Sequence, residues 1–130
     1  MVITHTYTEL DQGYRVEVTP VFIPERSSFD QEYYFFAYTI CIENIEGHAA
    51  TLQKRHWIIR NGHGEEEHVV GDGVVGEFPY LEPGQTYRYT SFCPLPTQTG
   101  NMRGKFTFID DQGREFEITI PVFFLSVPKQ

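Results

Sequence analysis

Hydrophobic and polar residues alternate along most of the chain, and a period of two places every second side chain on the same face of an extended strand. Over Tyr14–Phe22, the residues Tyr14, Val16, Val18 and Phe22 share one face, and Arg15, Glu17 and Thr19 share the other. Over 33–44, the set Tyr34, Phe36, Tyr38, Ile40 and Ile42 opposes the mixed set Phe35, Ala37, Thr39, Cys41 and Glu43, which marks a central strand. Over 115–125, Phe116, Ile118, Ile120, Val122 and Phe124 alternate with Glu115, Glu117, Thr119 and Pro121. Pro121 has no N–H to donate to a ladder, so this strand is expected at an edge or with a bend at the proline. Further strands are expected over 52–60, 67–70, 86–91 and 105–109, with a weaker one over 2–10. Turn signals separate them: Asp11-Gln12-Gly13, Glu46-Gly47, Asn61-Gly62-His63-Gly64, Pro83-Gly84 and Asp110-Asp111-Gln112-Gly113. These residue types tolerate the positive φ of tight hairpins. No period of 3.6 is sustained. The pattern predicts an all-β fold, an immunoglobulin-like or fibronectin type III-like antiparallel β-sandwich of roughly seven to eight strands.

A chain of 130 residues is expected to form one domain, 1–130, with enough buried surface to need neither metal nor disulfide. Its net charge of −8 repels a polyphosphate backbone, which argues against nucleic acid as a partner. No apolar run is long enough to cross a bilayer, and Met1-Val2-Ile3-Thr4-His5 does not open a signal peptide, so a cytoplasmic location without membrane contact is expected. Cys41 falls within a strand and Cys93 within a Pro-flanked loop, a pairing that favours reduced thiols over a disulfide.

Candidate chemistry is sparse. Gly71-Asp72-Gly73-Val74-Val75-Gly76 fits G-x-G-x-x-G, but dinucleotide binding needs a helix after the glycines, and Pro79 and Pro83 forbid one. The loop retains two readings: a tight connection between strands, or a nest of backbone N–H groups for an anion. His63, His68 and Glu65-Glu66-Glu67 place metal-ligating types on one hairpin at unspecific spacing. In Arg55-His56-Trp57-Ile58-Ile59, alternation turns Trp57 and Ile59 towards the core and His56 away from it. Ser91 and Cys93 are the nucleophile candidates, and neither sits in a known elbow or beside a histidine in sequence. Leu81-Glu82-Pro83-Gly84-Gln85-Thr86-Tyr87-Arg88-Tyr89 is similar to the LxPGxxY run of fibronectin type III domains, in which a tyrosine hydroxyl bonds back to the backbone and locks the corner between sheets. Residues 24–28 are polar enough to be mobile.

Several segments together resemble the bacterial ApaG family in content and order. They are Phe36-Ala37-Tyr38-Thr39-Ile40, Arg55-His56-Trp57-Ile58-Ile59, Gly71-x-Gly73-Val74-Val75-Gly76-Glu77-x-Pro79, Leu81-x-Pro83-Gly84, Tyr89-Thr90-Ser91 and Gly100-x-Met102-x-Gly104. The resemblance runs from about residue 14 to about 128. It implies a fibronectin type III-like sandwich and a link to cobalt resistance and magnesium efflux. Without a membrane span such a link is indirect. It also implies use as a module appended to eukaryotic F-box proteins and to a DNA-polymerase-interacting protein, which favours protein recognition. The family's glycine motif, associated with nucleotide or pyrophosphate binding, maps onto Gly71, Gly73 and Gly76. Two departures stand out: Phe92 follows Tyr-Thr-Ser where the family commonly has glycine, and Arg26-Ser27 replaces the usual Gln-Ser.

The expected function is that of a non-catalytic binding module without a cofactor, recognising a protein partner. The expected site comprises Gly71, Gly73, Gly76, Glu77, Arg55, His56, Tyr89, Thr90 and Ser91. The alternative is a sensor of a phosphate-containing ligand or a divalent cation, at the glycine loop or at the hairpin of His63 and His68. Exposed strand edges and abundant tyrosine also allow a weak homodimer.

Overall fold

A computed structural model of the chain describes residues 4–129. Among the described residues nine strands form: β1 (Tyr7–Asp11), β2 (Tyr14–Phe22), β3 (Tyr34–Asn44), β4 (Ala50–Asn61), β5 (Glu66–Asp72), β6 (Tyr80–Leu81), β7 (Thr86–Leu95), β8 (Thr99–Asp110) and β9 (Glu115–Ser126). All eight expected strands are present, and the two-residue β6 is additional; the start of the strand expected over 2–10 lies outside the described residues. One sheet has the order β1-β2-β3-β7, the other β5-β4-β8-β9, with β6 pairing the start of β4. Every pairing is antiparallel. No helix among the described residues is long and apolar enough to cross a membrane.

The inner faces carry the alternating residues that the sequence assigns to the core. Tyr14, Val16, Val18, Phe36, Ile40 and Ile42 of the first sheet meet Leu52, Trp57, Phe106, Phe108, Ile118 and Ile120 of the second. Burial of this much aliphatic and aromatic surface is the main stabilising term, at about 25 cal/mol per Å². Trp57 is buried, its ring meeting Tyr38, Phe106 and Phe123 edge-on.

One strand departs from simple alternation. Met102 pairs with Phe123 and Gly104 with Ile120, so Arg103 opposes both Pro121 and Val122. This bulge inverts the faces beyond the proline. Phe123 and Leu125 enter the core, whereas Val122 and Phe124, expected inside, face out. The bend anticipated at Pro121 is thus real, and β9 is an edge strand.

Three local expectations are also corrected. Cys93 lies in β7, buried and paired with Phe36, not in a loop; Pro94 is tolerated there because β7 is an edge strand. Residues 24–28, read as a loop, carry local structure. Pro24–Arg26 form a 3-10 turn, the Ser27 hydroxyl donates to the Ile23 carbonyl and accepts the Phe35 N–H, both at 2.9 Å, and Arg26 lies over the Phe35 ring. The corner between the sheets is fastened by Asn44 and Tyr14 in place of a tyrosine from the 81–89 run. Asn44, fully buried, donates through its amide to the Leu81 carbonyl (3.0 Å), the His48 carbonyl and the Tyr14 oxygen (both 3.2 Å). Its side-chain oxygen accepts the Gly47 N–H at 2.7 Å, and the Tyr14 hydroxyl donates to the His48 carbonyl.

The two sides of the sandwich differ. On one side β1 packs against β9, with Tyr7 against Phe123 and Phe124. On the other, the free edges of β5 and β7 flank an open cleft of about 270 Å³.

Candidate functional site

The cleft is floored by Trp57, Ile59, Val69 and Met102, and Tyr38, Arg55, Glu67, Ser91 and Cys93 supply its polar groups. Register explains the convergence. Arg55, Trp57 and Ile59 point inward from β4, opposite Gly71, Val69 and Glu67 of β5. Tyr89, Ser91 and Cys93 point inward from β7. The intervening residues of each strand point out.

A bulge in β4 sets the glycine loop beside this cleft. The register of β4 against β8 shifts between Leu52 and Lys54, leaving Gln53 as the extra residue. Its carbonyl accepts the Gly73 N–H at 2.7 Å. Gly73 has φ +63, and a Cβ there would stand 2.3 Å from the Glu77 carbonyl oxygen, so glycine is required. Val74 and Glu77 exchange two backbone hydrogen bonds of 2.9 Å around Val75 and Gly76, both at positive φ. This is a tight hairpin turn, and the β-branched Val75 is strained in it. The turn consumes the N–H groups of Gly73, Val74 and Glu77 and leaves those of Val75 and Gly76 for an anion nest.

Arg55 joins the loop to the cleft. Its Nη1 donates to the carbonyls of Asp72 and Gly73, each at 2.9 Å, and the guanidinium lies over Gly71. Among the described residues no carboxylate lies within ion-pair distance of it. Glu77 is exposed at the loop, where its charge bears on the Tyr87 hydroxyl.

Burial dominates the electrostatics inside the cleft. The Tyr38 hydroxyl is raised above its ordinary pKa chiefly by burial, with Ser91 partly offsetting this. The Tyr89 hydroxyl is raised strongly, first by burial and then by Tyr38, with Arg55 opposing. It is buried without a hydrogen-bond partner. Burial pushes the Cys93 thiol up to about 12, so it is protonated at neutral pH, the reverse of an activated nucleophile.

Of the residues singled out in the sequence, Arg55 and Ser91 line the cleft and Tyr89, Gly71 and Gly73 lie next to Arg55, with Gly76 and Glu77 on the adjoining turn. His56 and Thr90 do not. His56 projects from the outer face of the second sheet, its Nε2 2.9 Å from Nδ1 of His68. Thr90 projects from the outer face of the first, bonded to Thr39 at 2.9 Å. His68 therefore turns to His56 and not to His63, which sits on the hairpin tip beside Asn61. Among the described residues no three His, Cys, Asp or Glu side chains gather where they would hold a metal ion. Sequence reasoning missed Tyr38 and Glu67 as cleft residues; Glu67 was visible only as one of three consecutive glutamates, and its inward direction follows from register.

The fold and site define a two-sheet antiparallel sandwich of immunoglobulin type with one open side, capped by a glycine turn. A profile of the ApaG domain matches residues 24–110. The chain is 47% identical over 122 residues to Protein ApaG of Methylocella silvestris, covering 94% of each. It is 48% identical over 113 residues to Protein ApaG of Proteus mirabilis, covering 87% of this chain and 90% of that one. A crystal structure of a Bordetella pertussis homologue superposes with a TM-score of 0.86 at 45% identity, over 90% of this chain and 95% of that one. The chain belongs to the ApaG domain family.

Proposed function

We propose that this domain is a non-catalytic binding module that grips a protein partner on the open side of its sandwich. The observation that carries this reading is Arg55, a cation without a carboxylate, fixed by two carbonyls at the mouth of the cleft. Val75 on the adjoining glycine turn and Phe78 just after it are 54% and 51% exposed. A fixed arginine flanked by exposed apolar side chains is the composition of a protein-binding hot spot. Arrangement on a rigid sheet keeps the ordering cost of binding low. The protonated Cys93 and the outward direction of His56 support a role without catalysis.

The test is parallel affinity capture from the native cell with the wild-type chain and an Arg55→Ala/Glu77→Ala variant. The reading expects specific proteins to be lost with the variant although it folds. An unchanged set of captured proteins contradicts it.

A further inference from the structure

The Tyr38 and Ser91 hydroxyls and the Arg55 guanidinium line the cleft between β5 and β7, and one buried hydroxyl behind them has nothing to bond. The Tyr89 hydroxyl is buried and unpartnered, with 8% of the residue exposed. The ionisable neighbours that bear on it include Tyr38 and Arg55, both of which line the cleft with Ser91. A buried hydroxyl without an acceptor is costly, and one that persists in a folded protein calls for an explanation. Arg55 has spare donors in the same place. Its Nη1 is spent on backbone carbonyls, which orients the plane and leaves the Nε and Nη2 edge unbonded.

We propose that this pocket binds a carboxylate. The open edge of Arg55 supplies two parallel N–H donors, the fork that grips a carboxylate in bidentate fashion. The hydroxyls of Tyr89, Tyr38 and Ser91 supply further donors to the same oxygens. The hydrocarbon attached to the carboxylate lies along Trp57, Val69 and Met102. A monoanion is favoured over a phosphate dianion because Glu67 lies farther along the cleft and the chain carries a net charge of −8. The inference rests on the binding reading above, since a chain end or an acidic side chain is what a protein inserts here. A free carboxylic acid has the same chemistry, and the two sources separate by experiment.

The experiment titrates the ¹⁵N-labelled full chain with N-acetyl-Ala-Leu, its C-terminal amide, 4-methylpentanoate and inorganic phosphate, following the Arg55 Nε–H and the amides of β5 and β7. Saturable shifts are expected with both carboxylates and none with the amide. Tyr89→Phe is expected to weaken binding about tenfold, the loss of one hydrogen bond to a charged group, and Arg55→Met by more. Because the hydroxyl is unpartnered in the free domain, Tyr89→Phe leaves the thermal midpoint unlowered, which separates lost binding from lost fold. Tighter binding of the peptide than of the free acid supports a protein chain as the source, and the reverse supports a small acid. Equal shifts with the amide, a preference for phosphate, or no saturation by either carboxylate overturns the proposal. If capture of partners depends on Arg55 while both carboxylates are silent, the pocket assignment falls and the protein-binding reading stands.

Discussion

The guanidinium of Arg55 occupies the space above Gly71, where a Cβ would come within 2.8 Å of its Cζ. Glycine at this edge-strand position gives the arginine its seat. Gly71→Ala is expected to push Arg55 off the carbonyls of Asp72 and Gly73 and so to weaken partner capture. The clash is with the end of a flexible side chain, so the unfolding free energy should change by less than about 1 kcal/mol. Denaturant melts beside capture assays check both halves.

Gly73→Ala carries a different expectation. Its Cβ meets backbone, and its φ lies in the left-handed region. The loop must rearrange, at a cost of about 2 kcal/mol or more. A lower denaturation midpoint with an unchanged m-value is the expected result.

Asn44 is the polar residue on which the corner depends. Asn44→Ala leaves the Leu81 carbonyl and the Gly47 N–H without their partner, and a loss of about 2–4 kcal/mol is expected. Tyr14→Phe removes only one hydroxyl from the same network and should cost about 1 kcal/mol. Thermal or denaturant melts of the two variants rank them directly.

Most of the sandwich was legible because buried faces alternate over long runs, as Tyr34 to Ile42 do in β3. Alternation loses its phase at a bulge, so Val122 and Phe124 were placed inside, and Pro121 was the only sign of the change. Asn44 was missed because a polar residue at the end of a strand reads as solvated; the available signal was its distance from Gly47, which fits a side-chain turn. The corner motif pointed to a tyrosine of its own run, but the hydroxyl role went to Tyr14, thirty residues from Asn44 in sequence and its direct partner in register. The site was half legible. Arg55 was legible through the Arg55-His56-Trp57 segment and Ser91 as a nucleophile candidate, whereas the cleft between them arises from two sheet edges that no local pattern brings together.

Alkaline pH should destabilise the fold. The Cys93 thiol moves from an ordinary 9.0 up to about 12, and the Tyr14 hydroxyl from 10.0 up to about 12, both chiefly through burial. Between those values the unfolded chain has lost protons that the folded chain keeps, so stability is full below about pH 9 and falls as pH rises towards 12. Cys93→Ala should flatten the fall that begins near pH 9, and Tyr14→Phe the part that begins near pH 10. Thermal midpoints at pH 8, 9.5 and 11 show the slope, and a midpoint that rises over this window contradicts the assignment.

Partner binding on the open side is tested most directly by quantitative capture with three forms of the chain: wild type, Arg55→Ala/Glu77→Ala, and Glu9→Gln on the closed side. The expected result is a group of proteins retained by wild type and Glu9→Gln and depleted about tenfold or more by the double variant, as removal of hot-spot residues predicts. Equal retention by all three forms, with the double variant folded, would contradict the account.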